Sequence, residues 1–466
     1  MVTALSHTLP ILVALPCPSG KLTAMKRPFL SIAIVALVAL TVVTVAIAGG
    51  WLAVWGDGRL VRSASLQDEQ ISPNADGVRD ATLISYVISR NALVSIYFEN
   101  EAGERFYFRR EQPRGAGEYR VLFSGVVEGY RLPGETIQGE ILARLLKDGR
   151  YTWVVEARDD SGYSDRQTGS LIIDGASRDL PEMRGFELDR SVFSPNRDGI
   201  DDRVKIQFDL QKEAQVRVFL LTDEGIEMPI ARLERELPAG MPGRHYYDYE
   251  GGVDRDALPP PDGTYPIIAI AEDREGQRIL VEEPLTIRFG GIPRADIISP
   301  ASGDTVAFSS TAVLVCDTLT FTLTVQNYGA APIRTTGPAV GTTYDSNWNY
   351  NTIGWPTESG AWRVGIGFEN QLSDYPFRWA IGSYDQLEEI DGHYYLMPGQ
   401  RAVVTGSIRI MGSLGARNPQ PMWAGLIHED VAISPFNDRV GVKPILIDLP
   451  DPDNLEACPP RPIPER

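Results

Sequence analysis

The sequence predicts a mainly β protein: an N-terminal transmembrane helix followed by three tandem β-sandwich domains. Three observations carry this. A short acidic loop is written twice, as Ile71-Ser72-Pro73-Asn74-Ala75-Asp76-Gly77-Val78-Arg79-Asp80 and as Phe193-Ser194-Pro195-Asn196-Arg197-Asp198-Gly199-Ile200-Asp201-Asp202. Short stretches alternating apolar and polar residues, separated by Gly, Pro, Asn and Asp, fill most of the chain after residue 66 with almost no helical periodicity. Finally, Phe29 to Ala48 is an uncharged apolar run, and about twenty such residues suffice to cross a hydrocarbon core as a helix.

Each acidic loop launches a strand. After the first, Leu83, Ser85 and Val87 fall on one face and Ile84, Tyr86 and Ile88 on the other; after the second, Val204, Ile206, Phe208 and Leu210 alternate with polar residues. The register then holds, because Ala92, Val94, Ile96 and Gly103 lie 122 positions before Ala214, Val216, Val218 and Gly225. This is an internal duplication. Both copies end alike, with Asp148-Gly149-Arg150-Tyr151 leading to Ala157-Arg158-Asp159-Asp160-Ser161-Gly162, and Asp262-Gly263-Thr264-Tyr265 leading to Ala271-Glu272-Asp273-Arg274-Glu275-Gly276. That closing offset is 114, so the second copy lacks about eight residues, and the longer stretch Val126 to Leu146 of the first is where they belong.

The motif S-P-N-x-D-G-x-x-D before an alternating strand resembles the opening of bacterial immunoglobulin-like modules related to the C-terminal domain of the flagellar hook-capping protein. Such modules also end secreted and gliding-motility surface proteins. The resemblance covers residues 66–175 and 188–288 and implies an immunoglobulin-like sandwich for each; it implies no flagellar role, since nothing here is similar to the hook-binding remainder of that protein.

Net charge is −18, and residues 1–55 hold Lys21, Lys26 and Arg27 with no acidic residue, so the remainder of the chain is more acidic still. Such a surface repels phosphate backbones and excludes nucleic acid as a partner. The basic flank before residue 29 keeps residues 1–28 cytoplasmic, with an anchor over 29–55 that ends in Trp51 and Trp55 at the membrane interface and the bulk of the chain outside. A second reading starts at Met25 and ends a signal peptide at Ala46-Ile47-Ala48. Either way the rest is exported, placing the protein at the cell membrane. Of three cysteines, Cys316 and Cys458 come after the apolar run. They form a disulfide or stay as two thiols, for sequence does not give their separation.

Residues 56–65 read as a polar stalk, 174–188 as a polar linker, 296–449 as a third sandwich and 450–466 as a Pro-rich extended tail. Thr318 to Gln326 alternates without a break and ends at Asn327-Tyr328-Gly329; Pro398-Gly399-Gln400 precedes another strand, Arg401 to Ile410. This arrangement is loosely similar to β-sandwich modules of bacterial surface proteins, whereas 335–395 matches no motif.

Chemistry is sparse. His7, His245, His393 and His428 have no ligand spacing, no Ser sits in G-x-S-x-G and no Gly-rich phosphate loop precedes a helix, so the chain reads as no enzyme. The loops offer Asn74, Asp76 and Asp80, and again Asn196, Asp198 and Asp202, as hard oxygen ligands for calcium. The same residue types also close Asx-turns with no metal. Trp348 and Trp355 stand in a loop-like Asn-, Thr- and Gly-rich stretch and are the ligand-binding candidates, while Trp362 and Trp379 read as core. The expected role is structural, display or adhesive, toward a cell-surface protein or glycan. A carbohydrate-binding module centred on the last domain and an accessory protein of a secreted enzyme system are the alternatives.

Overall fold

A computed structural model describes residues 58–177, 179–233, 237–369, 371–448 and 458–463. The anchor 29–48, its flanking tryptophans and most of the Pro-rich tail lie outside these. Among the described residues no helix is long and apolar enough to cross a membrane, and the only helical elements are three short 3-10 turns.

Three β-sandwiches succeed one another along the chain. In the first, one sheet runs Val61–Leu66, Thr82–Ile88, Gly117–Phe123; the facing sheet runs Gln70–Ile71, Ser164–Ile173, Gly149–Arg158, Ala92–Glu99, Arg105–Arg114. The second repeats this order, with Met183–Leu188, Val204–Leu210, Gly243–Tyr249 against Val192–Phe193, Arg278–Ile287, Gly263–Glu272, Gln215–Leu221, Glu227–Pro229. The strand orders of the duplicated regions therefore coincide. The third shares it too: Ala295–Ile298, Thr318–Asn327, Arg401–Arg409 face Ala312–Leu314, Val440–Asp448, Gln420–His428, Trp362–Phe368. Between Ile333 and Leu396 it carries several further short strands.

Alternation decides which faces meet. Thr82, Ile84, Tyr86 and Ile88 turn inward, as do Val204, Ile206, Phe208 and Leu210, and then Leu319, Phe321, Leu323 and Val325. Each sandwich owns a separate buried core. Trp362 and Trp379 belong to the third. The closing motifs explain themselves: the Tyr151 hydroxyl donates to the Lys147 carbonyl (3.0 Å) and that of Tyr265 to Pro261 (2.9 Å), pinning the corner that precedes each closing hairpin.

Three boundaries shift. The expected stalk 56–65 contains the strand Val61–Leu66, with Leu60 and Val61 fully buried, because a first strand is needed to cover Tyr86 and Ile88. The expected linker 174–188 likewise contains Met183–Leu188, whose Met183 and Phe186 enter the second core. The longer stretch of the first copy is a hairpin, Val126–Glu128 with Glu140–Leu145; its Val127 stays in the first core while Glu140–Leu145 extends the second module's sheet beside Arg278–Ile287.

Candidate functional site

The two acidic loops fold alike, differing in one of the three amides that the last Asp accepts. Asp80 accepts the amide N–H groups of Asn74 (3.2 Å), Ala75 (3.0 Å) and Gly77 (2.7 Å); Asn74 Oδ1 accepts from Asp76 and Asp76 Oδ1 from Val78. In the second copy Asp202 accepts from Asn196 (3.2 Å), Asp198 (3.2 Å) and Gly199 (2.7 Å), Asn196 from Asp198, and Asp198 from Ile200. Ala75, Gly77 and Arg79, and their counterparts Arg197, Gly199 and Asp201, all take positive φ. These side chains thus satisfy a tight run of amides that no strand reaches. Among the described residues no group of three or more His, Cys, Asp or Glu is placed to hold a metal ion.

From this bonding, Asp80→Ala is expected to lower the stability of the first sandwich by about 1–2 kcal/mol, through the lost bonds from these amides to a charged carboxylate. The protein is expected to melt at the same temperature in millimolar calcium and in chelator. A calcium-dependent rise of several degrees that Asp80→Ala abolishes would reverse this reading.

The loops differ in what surrounds them. Asp76, Gly77 and Val78 are exposed, whereas Asn196 and Asp198 are buried, because the third sandwich sits on the second loop. Arg334 Nε donates to the Asp198 carbonyl (2.7 Å), its Nη2 donates to the Ser359 carbonyl, and its remaining nitrogen pairs with Glu358. The Tyr395 hydroxyl donates to Asp198 Oδ2 (3.2 Å), and His428 Nε2 meets the Arg197 carbonyl (2.7 Å). Gly199 and Gly360 face each other across this joint, and a Cβ on either would overlap the opposing backbone. Burial raises the carboxyl pKa of Asp202 to about 6, with the neighbouring Asp198 charge adding to the effect. Burial likewise pulls that of His428, which stacks on Trp362 at 4.4 Å, down to about 4, so its ring is neutral near pH 7.

The first joint is made differently. Ile141 of the hairpin pairs with Ile279, and Ile141 and Ile137 enter the second core. Gly139 lies against the Leu280 carbonyl with no room for a Cβ. Beside it Arg144 is buried in a two-pronged pair with Glu135, and Lys212 Nζ donates to Asp273 and Glu275 (2.8 Å each) and to the Asp179 carbonyl (3.2 Å).

Trp348 and Trp355 are both half-buried against the third core but line different hollows. Trp348 borders one with Phe368, Phe377 and Cys458. Trp355 borders a cavity of about 440 Å³, walled by residues 335–337, 339–340, 380, 382–384, 387 and 392–394. Sequence reasoning missed Tyr384 and Tyr394 as wall residues, since they lie in the stretch with no motif. Their rings meet at 4.6 Å, and Tyr384 is 68% exposed. Cys316 and Cys458 are bonded, with Cα atoms 5.4 Å apart. His245 is buried in the second module against the Met241 carbonyl, His393 borders the cavity and His428 faces the second joint, so the described histidines form no shared site.

No family model matches the chain, and no curated protein matches it. Solved structures do. One is a Ca2+-stabilised adhesin with which an Antarctic bacterium binds ice: 12% identity, 84% of this chain, 73% of that one, TM-score 0.23. Another is a tetra-tandem repeat from the extending region of a large adhesion protein: 12% identity, 78% and 81% covered, TM-score 0.16. A third is a DUF4785 family protein of Legionella pneumophila: 7% identity, 80% and 85% covered, TM-score 0.20. At such scores the likeness carries no argument about ligands or activity.

Proposed function

We propose that the protein is an extracytoplasmic, non-enzymatic modular protein in which the two repeated sandwiches form a stiff stalk displaying the third, in a structural or adhesive role. The observation that carries this is the construction of the joints. A hinge between domains needs few contacts and free backbone. Here one joint is a continuous sheet and the other a backbone-to-backbone seat with its polar groups bonded. The Cys316–Cys458 bond fits an oxidising compartment outside the cytoplasm. The apolar run 29–48 would supply the tether, amino terminus inward. The first two modules are proposed as relatives of the bacterial immunoglobulin-like modules that their S-P-N-x-D-G loops resemble.

Gly360→Val tests the stalk. The side chain clashes with Asp198 and the position has φ +79, a conformation that costs a non-glycine residue roughly 1–2 kcal/mol. Small-angle scattering is expected to show a rigid rod for the wild type and a flexible pair of bodies for the variant, with circular dichroism unchanged. Equal flexibility in both proteins would remove the stalk from the reading.

A further inference from the structure

The cavity beside Trp355, like the hollow beside Trp348, is walled without a charged side chain, in a chain where 23% of residues are charged. Its walls offer instead flat faces (Trp355, Tyr384, Tyr394), neutral polar groups (Thr336, Ser383, His393) and a small-residue floor with backbone close to the surface at Gly337, Gly382 and Gly392. Its volume of about 440 Å³ falls within the few-hundred-to-thousand Å³ range of small-molecule sites.

The walls are also held rigid from behind. Thr335 Oγ1 is fixed by the Trp362 carbonyl (2.8 Å) and the Ile381 amide (2.8 Å), and buried Arg363 donates to the carbonyls of Thr336 (2.6 Å) and Pro356 (3.0 Å). The two paired strands Ile333–Thr335 and His393–Leu396 present Arg334 and Tyr395 to the second module and Thr335 and Tyr394 to the cavity. A site preformed in this way binds without an ordering cost.

We infer that this cavity is a binding site for a neutral saccharide. A pyranose ring has an apolar C–H face that matches an aromatic plane and a rim of hydroxyls that matches neutral donors and acceptors. Anionic glycans find no cation in the walls and meet the field of a strongly acidic chain. A lipid chain would bury the Thr336 hydroxyl and the His393 imidazole against hydrocarbon without a partner. The site lies wholly within the third sandwich, so the inference stands whether or not the joints are stiff.

The test is calorimetric titration of the full-length protein with a panel of hexasaccharides of glucose, mannose and N-acetylglucosamine, in both α and β linkages where they exist, alongside hyaluronan and polygalacturonate fragments. At least one neutral oligosaccharide is expected to bind, and neither anionic one. Tyr384→Ala, on an exposed ring whose loss leaves the core intact, is expected to weaken binding at least ten-fold. Tyr384→Phe should retain most of it, and Tyr328→Ala, on an exposed ring away from the cavity, all of it. Binding of an anionic fragment as tightly as any neutral one, silence across the neutral panel, or an affinity indifferent to Tyr384→Ala would each overturn the inference.

Discussion

Glu429→Ala is expected to destabilise the third sandwich by about 3–5 kcal/mol, the cost of breaking a buried ion pair from one side. Glu429 is 2% exposed and accepts both Arg378 Nη1 contacts (2.8 and 2.7 Å) while standing 3.3 Å from Arg363 Nη1. Two guanidiniums thus share one carboxylate in the interior. Desolvation already pulls the pKa of Arg363 downward, so removing the carboxylate leaves two buried cations with carbonyl oxygens as their remaining anchors. Urea titration monitored by tryptophan fluorescence reads the effect, since five of the six tryptophans beyond residue 55 are in this domain. A loss under 1 kcal/mol would mean that the cluster is screened by water.

The second large effect is expected from Cys458→Ser. The bond spans 142 residues, and closing a loop of that size is worth about 5 kcal/mol in the chain-entropy estimate. The urea midpoint of the same transition should fall in the variant, and reductant should lower the wild type to the variant's level while leaving the variant unmoved. An unchanged midpoint would show that the unfolded chain keeps these ends close without the bond.

Much of the fold is legible in the sequence because period-two alternation is a direct consequence of strand geometry. Val204 to Leu210 and Thr318 to Val325 bury the residues their spacing selects. The duplication is legible from constant spacing, and the strand order common to the first two sandwiches comes with it. That the third shares this order is hidden, since only Val315, Cys316 and Asp317 stand between Ala312–Leu314 and Thr318–Asn327, where the other two carry the acidic loop. The docking of the hairpin is equally hidden: Ile137 and Ile141 would suit either neighbouring core. Nor does a repeated motif tell which copy is covered, because Asp76 and Asp198 each accept the amide two residues on, and Arg334, Gly360, Tyr395 and His428, far along the chain, distinguish them. The cavity leaves least trace. Trp355 stands out for its loop-like surroundings, but those surroundings pair it with Trp348, which faces another hollow, and its actual companions Tyr384 and Tyr394 come from a stretch where glycines and short strands blur any period.

The Cys316–Cys458 bond also fixes how the last domain carries tension. A pull applied beyond Cys458 passes through the sulfurs to Cys316 and on toward the strand Ala295–Ile298, bypassing the residues between. The cavity walls, between residues 335 and 394, all lie inside that bypassed loop. Under load from that end they are shielded by a covalent short circuit, and the stretch of the domain left to peel is the one before residue 316.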